Sequence, residues 1–190
     1  MRIIAGEFRG RKLLPPRGDV TRPITDRVKQ SLFDILALDL PEARVYDCFA
    51  GTGSMGLECL SRGASHATFF EADRSALALL RRNIAAVGVA DHSTVVAGDL
   101  FRWFETTPGG KADLVFLDPP YRFLRERPQD LTVLAGRLGS SHLAPGGTVV
   151  FRHDARDALE LPGLGAVDRR EYGGMVLDFL RAVEGPPPSE

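Results

Sequence analysis

The stretch VFLDPPYRF, residues 115–123, places an acid and an aromatic residue around two prolines. The apolar residues before them predict a buried strand, and Pro119 and Pro120 end it because neither has a backbone N–H. A strand end requires neither Asp118 nor Tyr121, so both residues are candidates for chemistry. An ionised carboxylate only accepts hydrogen bonds. Asp118 and the backbone carbonyl of Pro119 could therefore hold the two N–H groups of an amino group, while Tyr121 stacks on the ring that carries it.

Methylation of the exocyclic amino group of a nucleobase needs such an arrangement. The nitrogen lone pair is delocalised into the ring, which makes the nitrogen a poor nucleophile. Acceptors on its hydrogens favour a pyramidal nitrogen and stabilise the positive charge that develops as a methyl group arrives. The base must also leave its stack to reach the site. If the chain binds a methyl donor, Asp118, Pro119, Pro120 and Tyr121 are the predicted catalytic residues.

A glycine-rich segment after an earlier strand is the candidate cofactor site. Residues 51–56 read GTGSMG, a GxGxxG pattern between a predicted strand and a predicted helix, which is the context that the motif requires. Glycine lets a ligand approach the backbone closely, and the helix N-terminus offers unpaired N–H groups. Glu71 lies 20 residues after Gly51, at the end of the next strand, where an acid accepts hydrogen bonds from ribose hydroxyls. These features fit both NAD and S-adenosylmethionine.

Two further acids favour S-adenosylmethionine. Asp47 lies in the strand just before the loop, where its carboxylate would attract a cationic ligand with a free amino group and repel a pyrophosphate. Asp99 ends the third strand and could accept a hydrogen bond from the adenine amino group, with capping of the next helix as the alternative. Asp73 is better explained as a helix N-cap. The predicted cofactor site comprises Asp47, Phe49, Ala50, Gly51, Gly53, Ser54, Glu71, Asp99 and Leu100.

An alternating α/β domain must position these residues. The predicted strands of the first part are Arg44–Ala50, Ala67–Ala72, Thr94–Ala97, Asp113–Leu117 and Thr148–Arg152. The predicted helices between them are Ser54–Arg62, Ser75–Val87, Leu100–Glu105 and Gln129–Leu138. This alternation is typical of a doubly wound, mainly parallel, Rossmann-like sheet, in which ligands bind at the carboxyl ends of the strands. Two last strands, Ala166–Tyr172 and Met175–Val183, predict an antiparallel hairpin that completes a seven-stranded sheet.

The N-terminal 25 residues are predicted to be a basic extension. Residues 1–30 carry a net charge of +5 and residues 31–190 a net charge of −6. A basic arm on an acidic body favours a polyanionic partner at one end of the molecule, with a solvated charged face as the alternative. Alternating residues 2–14 predict a strand or hairpin.

A helix is predicted to begin at Asp26 as N-cap. Its apolar residues should be buried, and Arg27 and Lys29 should point away from the core. The predicted buried stripe consists of Val28, Leu32, Ile35 and Leu36.

Composition indicates a single globular domain. The 190 residues are 44% hydrophobic and 26% charged. No apolar run approaches the roughly 18 residues that span a bilayer, and the N-terminus does not resemble a signal peptide, so a cytoplasmic location is expected. Cys48 and Cys59 lack CxxC spacing and are predicted to be buried apolar residues. The four scattered histidines form no metal-ligand pattern, so no metal site is predicted.

The quoted motifs together resemble a known family. Asp47–Gly53 and Asp118–Tyr121 resemble the class I amino-methyltransferases. RIIAG at residues 2–6, RGRKL at 9–13 and RPITDRV at 22–28 look like the RsmD family specifically. The resemblance runs from residue 2 to about residue 182. Phe151–Asp154, after the last parallel strand, lies outside the recognised pattern.

The resemblance implies an S-adenosylmethionine-dependent enzyme that methylates N2 of a guanine in 16S ribosomal RNA of the small subunit. A methyltransferase domain would span residues 26–184 and a disordered tail residues 185–190. The partner would be ribosomal RNA, the small subunit or its assembly intermediate, bound by a monomer without membrane contact. The predicted phosphate-binding residues, which would make RNA binding depend on salt, are Arg9, Arg11, Lys12, Arg22 and Arg27.

Three other functions remain open on the sequence. An amino-methyltransferase could act on another RNA or on DNA adenine. A nicotinamide oxidoreductase could use the same glycine loop, although it gives no role to Asp118 or Tyr121. A non-catalytic RNA-binding protein would function without Asp118.

Overall fold

A seven-stranded sheet positions the candidate sites. The computed structural model describes residues 1–16, 24–157 and 159–183. The strands are β1 Arg44–Cys48, β2 His66–Glu71, β3 Ser93–Ala97, β4 Ala112–Leu117, β5 Leu143–Asp154, β6 Leu164–Tyr172 and β7 Met175–Ala182. Their order is β3-β2-β1-β4-β5-β7-β6, with β1 to β5 parallel and β7 antiparallel to both β5 and β6. The predicted fold class is therefore confirmed.

Helices cover both faces of the sheet. They are α1 Asp26–Ile35, α2 Ser54–Ser61, α3 Arg74–Val87, α4 Leu100–Thr106, α5 Phe123–Glu126 and α6 Pro128–Arg137. Alternate residues of β4 enter two core clusters: Leu114 and Phe116 pack with α1, α2 and α3, whereas Val115 and Leu117 pack with α4 and α6. This alternation follows from the period of two along a strand. Asp118, one residue past β4, continues the register of Phe116 on the first face.

The N-terminal residues 1–16 form a short antiparallel turn that packs on the domain. The pairing consists of one bridge between Arg2 and Lys12, with the N–H of Ile3 donating to the carbonyl of Arg11 at 3.0 Å. Ile3 and Leu13 are buried in the same core cluster as α1. The predicted hairpin character is confirmed, and its apolar residues join the core of the sheet domain.

The start of α1 differs from the prediction. Thr25, not Asp26, is the N-cap, and its Oγ1 accepts a hydrogen bond from the N–H of Val28 at 3.3 Å. Asp26 is the first helical residue and pairs with Arg2 at 2.9 Å. The hydroxyl group of Thr25 accepts the hydrogen bond that an aspartate N-cap would accept. The Asp26 carboxylate instead forms the ion pair with Arg2.

Two burial predictions for α1 were wrong. Ile35 is 40% exposed, and Phe33 fills the buried position instead. Lys29 was expected to point outward but is 2% exposed, because Glu58 on α2 forms a buried ion pair with it at 2.9 Å. An opposite charge in the core offsets part of the cost of removing an ammonium group from water.

Other local predictions were confirmed. Cys48 and Cys59 are buried free thiols. Asp73 is the N-cap of α3, and its Oδ1 accepts a hydrogen bond from the N–H of Ala76 at 2.8 Å. No helix in the described ranges is both long and apolar enough to cross a membrane. Arg22 and the predicted tail at residues 185–190 lie outside the described residues.

Candidate active site

The glycine loop between β1 and α2 combines an open face with a packed face. Gly51 and Gly53 have φ values of +56° and +83°, which favour glycine, and a Cβ on Gly51 would meet nothing within 4 Å. A Cβ on Gly53 would lie 2.5 Å from the Leu80 side chain, and one on Gly56 would overlap the Phe69 ring. Gly51 therefore leaves room for a ligand, whereas Gly53 allows the start of α2 to approach Leu80 of α3 and Gly56 allows α2 to approach Phe69 of β2.

Glu71 at the end of β2 organises the edge beside this loop. Its Oε2 accepts a hydrogen bond from the N–H of Gly51 at 2.7 Å, and its Oε1 accepts from the N–H groups of Ala72 and Asp73. The N–H of Gly98, after β3, donates to the carbonyl of Glu71 at 2.9 Å, and a Cβ on Gly98 would also meet open space. Gly51 and Gly98, which both have free space beside their backbone, thus lie on either side of Glu71. This arrangement fits a nucleoside cofactor that lies across the ends of these strands.

Asp47 is buried beneath the loop rather than exposed to it. Asp47 is 2% exposed, and its Oδ2 accepts a hydrogen bond from the N–H of Gly56 at 2.9 Å. Burial, with a smaller contribution from the charge of Asp118, raises the pKa of Asp47 to about 7 against the lowering effect of the Gly56 hydrogen bond. A nearby cationic ligand would favour the ionised form of Asp47.

Asp99 caps the next helix, as the alternative interpretation predicted. It is the N-cap of α4, and its Oδ1 accepts a hydrogen bond from the N–H of Phe101 at 2.9 Å. The side chain is exposed, so its role toward an adenine amino group stays a prediction. Leu100 and Ala50 are buried, whereas Ser54 is only partly so.

An aromatic wall connects the cofactor loop to the segment after Asp118. The ring of Phe49 lies 6.1 Å from that of Phe101 and 5.8 Å from that of Phe123, both edge-on. The guanidinium of Arg127 lies over the rings of Phe101 and Phe123, at 4.4 and 5.3 Å. Phe49 has a φ of +66°, which is uncommon for a non-glycine residue, and the three-ring packing holds it there.

Asp118 lies between the cofactor loop and the last parallel strand. Cys48 pairs with Leu117 and Leu117 with Phe151, so Asp118 follows β4 between the end of β1 and Arg152 on β5. Arg152 donates through Nε to Oδ1 of Asp118 at 2.7 Å. Burial raises the pKa of Asp118, and the adjacent guanidinium opposes that rise through charge and hydrogen bonding.

The prolines hold the chain in a turn after Asp118. Pro119 is buried, and the carbonyl of Pro120 accepts a hydrogen bond from the N–H of Phe123 at 2.7 Å. The carbonyl of Tyr121 accepts from the N–H of Leu124 at 3.3 Å, and the Tyr121 side chain is half-buried. The four predicted catalytic residues thus form one continuous turn at the carboxyl edge of the sheet.

A narrow cleft runs from this turn toward the start of α1. Asp118 and Arg152 supply its polar atoms, and apolar side chains form the remaining walls. The apolar lining comprises Ile24, Leu32, Met55, Phe116, Val150 and Leu177. The predicted amine-binding residue therefore faces the side of the molecule where the N-terminal segment enters α1.

A buried charge cluster ties the N-terminal segment to the cofactor loop. Glu58 accepts hydrogen bonds from the N–H groups of Ile4 and Ala5, at 2.8 and 3.0 Å, besides its pairs with Lys29 and Arg62. Lys29 Nζ also donates to the carbonyl and Oγ of Ser54, at 3.0 and 3.1 Å. Burial opposes the ionisation of Glu58, but Lys29 and these donors hold its pKa below the ordinary value.

The predicted RNA-binding residues fall into three groups. Arg9, Lys12 and Arg27 are exposed. Arg11 is also exposed, but it lies over the Phe8 ring and donates to the carbonyls of Ala86 and Val87 at the C-terminal end of α3. Arg22 lies outside the described residues. Arg11 therefore has a structural role in addition to any contact with RNA.

Sequence reasoning missed two site residues whose partners are distant in the chain. Arg152 pairs with Asp118, 34 residues away, and Lys29 with Glu58 on another helix. The one available signal for Arg152 was a charged residue at the end of a buried parallel strand. Within the described ranges, no cluster of three or more His, Cys, Asp or Glu side chains could hold a metal ion.

Comparisons with known proteins place this geometry in a family. A family model described as "Conserved hypothetical protein 95" matches residues 1–181. "Ribosomal RNA small subunit methyltransferase D" of Escherichia coli strain K12 is 43% identical over 122 residues, which are 64% of this chain and 61% of that protein. The chain thus matches less than two thirds of the length of that relative. YlbH of Bacillus subtilis strain 168 is 33% identical over 165 residues, 85% of this chain and 86% of YlbH.

A similar solved structure, like the sequence relatives, is named as a methyltransferase. The structure of YhhF from Escherichia coli covers 96% of this chain and 97% of its own, with a TM-score of 0.82 and 31% identity. Structural neighbours of the sheet are class I methyltransferases. The match over residues 1–181, together with these relatives, shows that the chain belongs to the RsmD family, as its N-terminal and Asp118–Tyr121 motifs predicted.

Proposed function

We propose that this protein transfers a methyl group from S-adenosylmethionine to N2 of a guanine in 16S ribosomal RNA, acting as a cytoplasmic monomer on the small subunit or its assembly intermediate. The position of Asp118 carries the proposal. The strand register sets this acceptor beside the end of β1, which leads into the glycine loop, at the edge where parallel sheets bind their ligands. An amino group held by Asp118 would therefore lie beside the cofactor.

The residues around the glycine loop would hold the cofactor. Gly51 and Gly98 give it room, Glu71 would accept hydrogen bonds from ribose hydroxyls, and Asp99 would accept from the adenine amino group. Asp47 contributes negative charge behind the loop, which favours a cation. When bound, S-adenosylmethionine supplies a methyl group activated by its sulfonium.

The turn at Asp118 would prepare the amine. The ionised carboxylate of Asp118 and the carbonyl of Pro119 accept hydrogen bonds from the two N–H groups and stabilise positive charge on the nitrogen. Tyr121 stacks on the flipped base, a contact worth about 1–3 kcal/mol in comparable aromatic–base stacks. Pro119 and Pro120 keep the two acceptors in fixed relation, which supplies a proximity and orientation advantage.

The choice of ribosomal RNA rests on two observations. The E. coli relative is named for methylation of small-subunit ribosomal RNA. Exposed basic residues near the N-terminus, Arg9, Lys12 and Arg27, provide charge for phosphate contacts. The N2 position of guanine comes from the resemblance of the motifs to those of the RsmD family.

Labelled methyl transfer to small subunits from cells that lack this protein tests the proposal. The wild-type protein should transfer label to 16S RNA, whereas Asp118→Asn should lower the turnover rate by about 100-fold or more while S-adenosylmethionine affinity changes little, because the amide keeps the shape but loses the charge. Cofactor affinity is measured separately by calorimetry. Equal turnover in the two proteins would remove Asp118 from the reaction.

Double-stranded DNA and other RNAs serve as parallel substrates. Transfer to DNA adenine and none to small subunits would support the alternative substrate. Binding of NADH in place of S-adenosylmethionine would support an oxidoreductase.

A further inference from the structure

Arg152 contacts the candidate catalytic carboxylate directly. Its Nε donates to Oδ1 of Asp118 at 2.7 Å, and the Arg152 side chain is only 10% exposed, against 25% for Asp118. The pair is fixed by backbone register, because Leu117 pairs with Phe151 and both side chains emerge on the same face one residue later. The contact is therefore a property of the sheet rather than of a mobile surface side chain.

The surroundings of the pair are mainly apolar. Ile24, Met55 and Leu177 line the cleft that contains both charges, and the Met175 sulfur lies 4.0 Å from Nη1 of Arg152. Arg152 is the one basic side chain within 4.0 Å of the Asp118 carboxylate in the described part of the chain. In such a site a carboxyl group alone would favour its neutral form, which carries a proton on one of the two oxygens.

A neutral Asp118 could not serve as the predicted acceptor. A protonated carboxyl group donates one hydrogen bond and carries no charge to stabilise a developing cation. The guanidinium is charged at every accessible pH, and here it contacts Oδ1. This contact leaves Oδ2 as the carboxylate oxygen available to an incoming amino group.

We propose that Arg152 is a positioning residue that keeps Asp118 ionised and reserves one carboxylate oxygen for the target amine. The inference rests on the proposed amino-methyltransferase activity and adds a residue to it. It also gives a function to Arg152 within Phe151–Asp154, the segment that lies outside the motifs of the family. Arg152, near the end of β5, supplies the positive charge that sets the pH range in which Asp118 is an ionised acceptor.

The other titratable groups near Asp118 lie on separate elements. Asp47 on β1 interacts with Asp118 electrostatically and itself has a pKa raised to about 7 by burial. Tyr121, in the same turn as Asp118, interacts with Arg152. Lys29 on α1 and Glu71 on β2 act on Asp47. An experiment on Arg152 must therefore separate titration of Asp118 from titration of Asp47.

The test is the pH profile of turnover for wild type, Arg152→Gln and Arg152→Lys at saturating S-adenosylmethionine. Loss of the guanidinium leaves burial unopposed and raises the pKa of Asp118 further, so the acid limb of the profile moves to higher pH in Arg152→Gln. At about pH 6 its turnover should be about tenfold or more below wild type, with the difference closing toward about pH 9. Arg152→Lys keeps the charge and should keep most of the wild-type limb.

Two controls make the outcomes distinguishable. Arg156 lies four residues after Arg152, is exposed and pairs with Asp154. The variant Arg156→Gln should therefore leave the pH profile of turnover unchanged. The pH dependence of S-adenosylmethionine affinity reports Asp47 and should change much less than the turnover profile between wild type and Arg152→Gln, because burial contributes more than the charge of Asp118 to the raised pKa of Asp47.

Each result decides a different point. Absence of methyl transfer by the wild type would overturn the proposed function itself. An active wild type with the same acid limb in Arg152→Gln, or a loss of equal size at every pH, would overturn the assignment of Arg152. If Arg152→Gln fails to fold, Arg152→Lys decides: a wild-type limb supports the assignment, and a uniform loss contradicts it.

Discussion

At the scale of single residues, the same residue types perform different tasks in the two candidate sites. Asp118 and Asp47 are both at or near the carboxyl ends of central strands, but Asp118 has an arginine partner and Asp47 a backbone N–H. The first arrangement favours a charged acceptor, and the second leaves a buried acid that titrates near neutral pH. Local environment therefore distinguishes the proposed amine-binding acid from the proposed cofactor-side acid.

The pKa of Asp47 predicts pH-dependent cofactor binding. Because burial raises that pKa to about 7, the carboxylate is largely neutral below pH 7 and charged above it. Affinity for cationic S-adenosylmethionine should rise as the pH increases through this value and then level off. In Asp47→Asn, which keeps the shape but cannot ionise, affinity should be lower at about pH 8 and the rise should disappear. Calorimetric titration at several pH values measures both; an unchanged rise in the variant would assign it to another group.

At the scale of elements, α1 and α2 are joined by charges inside the core. Lys29 and Glu58 are almost fully buried, and Glu58 also holds the backbone of Ile4 and Ala5. The cluster therefore links the N-terminal segment, α1 and the start of α2, which carries Ser54 of the cofactor loop. The position of the loop depends on packing that begins at the N-terminus.

Breaking this ion pair should destabilise the protein more than its removal as a unit. Glu58→Gln leaves the Lys29 charge buried without its carboxylate and should cost about 3–5 kcal/mol in the free energy of unfolding. The double variant Lys29→Met, Glu58→Gln should recover part of that loss, because no unpaired ammonium remains. Urea unfolding measures the three free energies.

A surface pair provides the matched control. Arg2 and Asp26 also join the N-terminal segment to α1, but both side chains are at least half exposed. Asp26→Asn should therefore cost about 1 kcal/mol or less. A loss in Glu58→Gln as small as that in Asp26→Asn would contradict the structural role of the buried cluster.

The elements themselves were largely predictable from local pattern. Apolar runs identified the parallel strands, the glycine pair Gly173-Gly174 identified the terminal hairpin, and GTGSMG located the glycine loop between β1 and α2. Lys29 could not be placed correctly, because a lysine on a helix is usually solvated and its partner lies on a different helix. The Asp118–Arg152 contact likewise depends on which strands become neighbours, a tertiary property that periodicity does not contain.

At the scale of the whole molecule, the N-terminal segment carries exposed basic residues and reaches the glycine loop at the carboxyl edge of the sheet. The tip of this segment lies by the C-terminal end of α2, where the N–H of Phe8 donates to Oγ of Ser61, while its start lies near the glycine loop. The segment therefore spans the length of α2, from the glycine loop to the opposite end of the helix. An RNA that contacts both the tip and the active site would have to follow the same path.

Exposed basic residues of this region should control RNA affinity. The triple variant Arg9→Ala, Lys12→Ala, Arg27→Ala should weaken binding to small-subunit RNA and reduce the salt slope by about one unit per lost phosphate contact. Arg11 is not changed, because losing its hydrogen bonds to α3 would destabilise the protein and so obscure the effect on RNA affinity. Filter binding at several salt concentrations measures the slope, with Lys111→Ala, an exposed lysine before β4, as control. A triple variant with the control's slope would place the RNA elsewhere.

In the proposed reaction, Asp118 presents the N2 amino group of a guanine for methylation. Small subunits from cells lacking the protein should be incubated with it and labelled S-adenosylmethionine, and the RNA digested to nucleosides for mass spectrometry. We expect one labelled product, N2-methylguanosine from 16S RNA, and a strongly reduced yield with Asp118→Asn. Label in another nucleoside, or an equal yield from the variant, would contradict it.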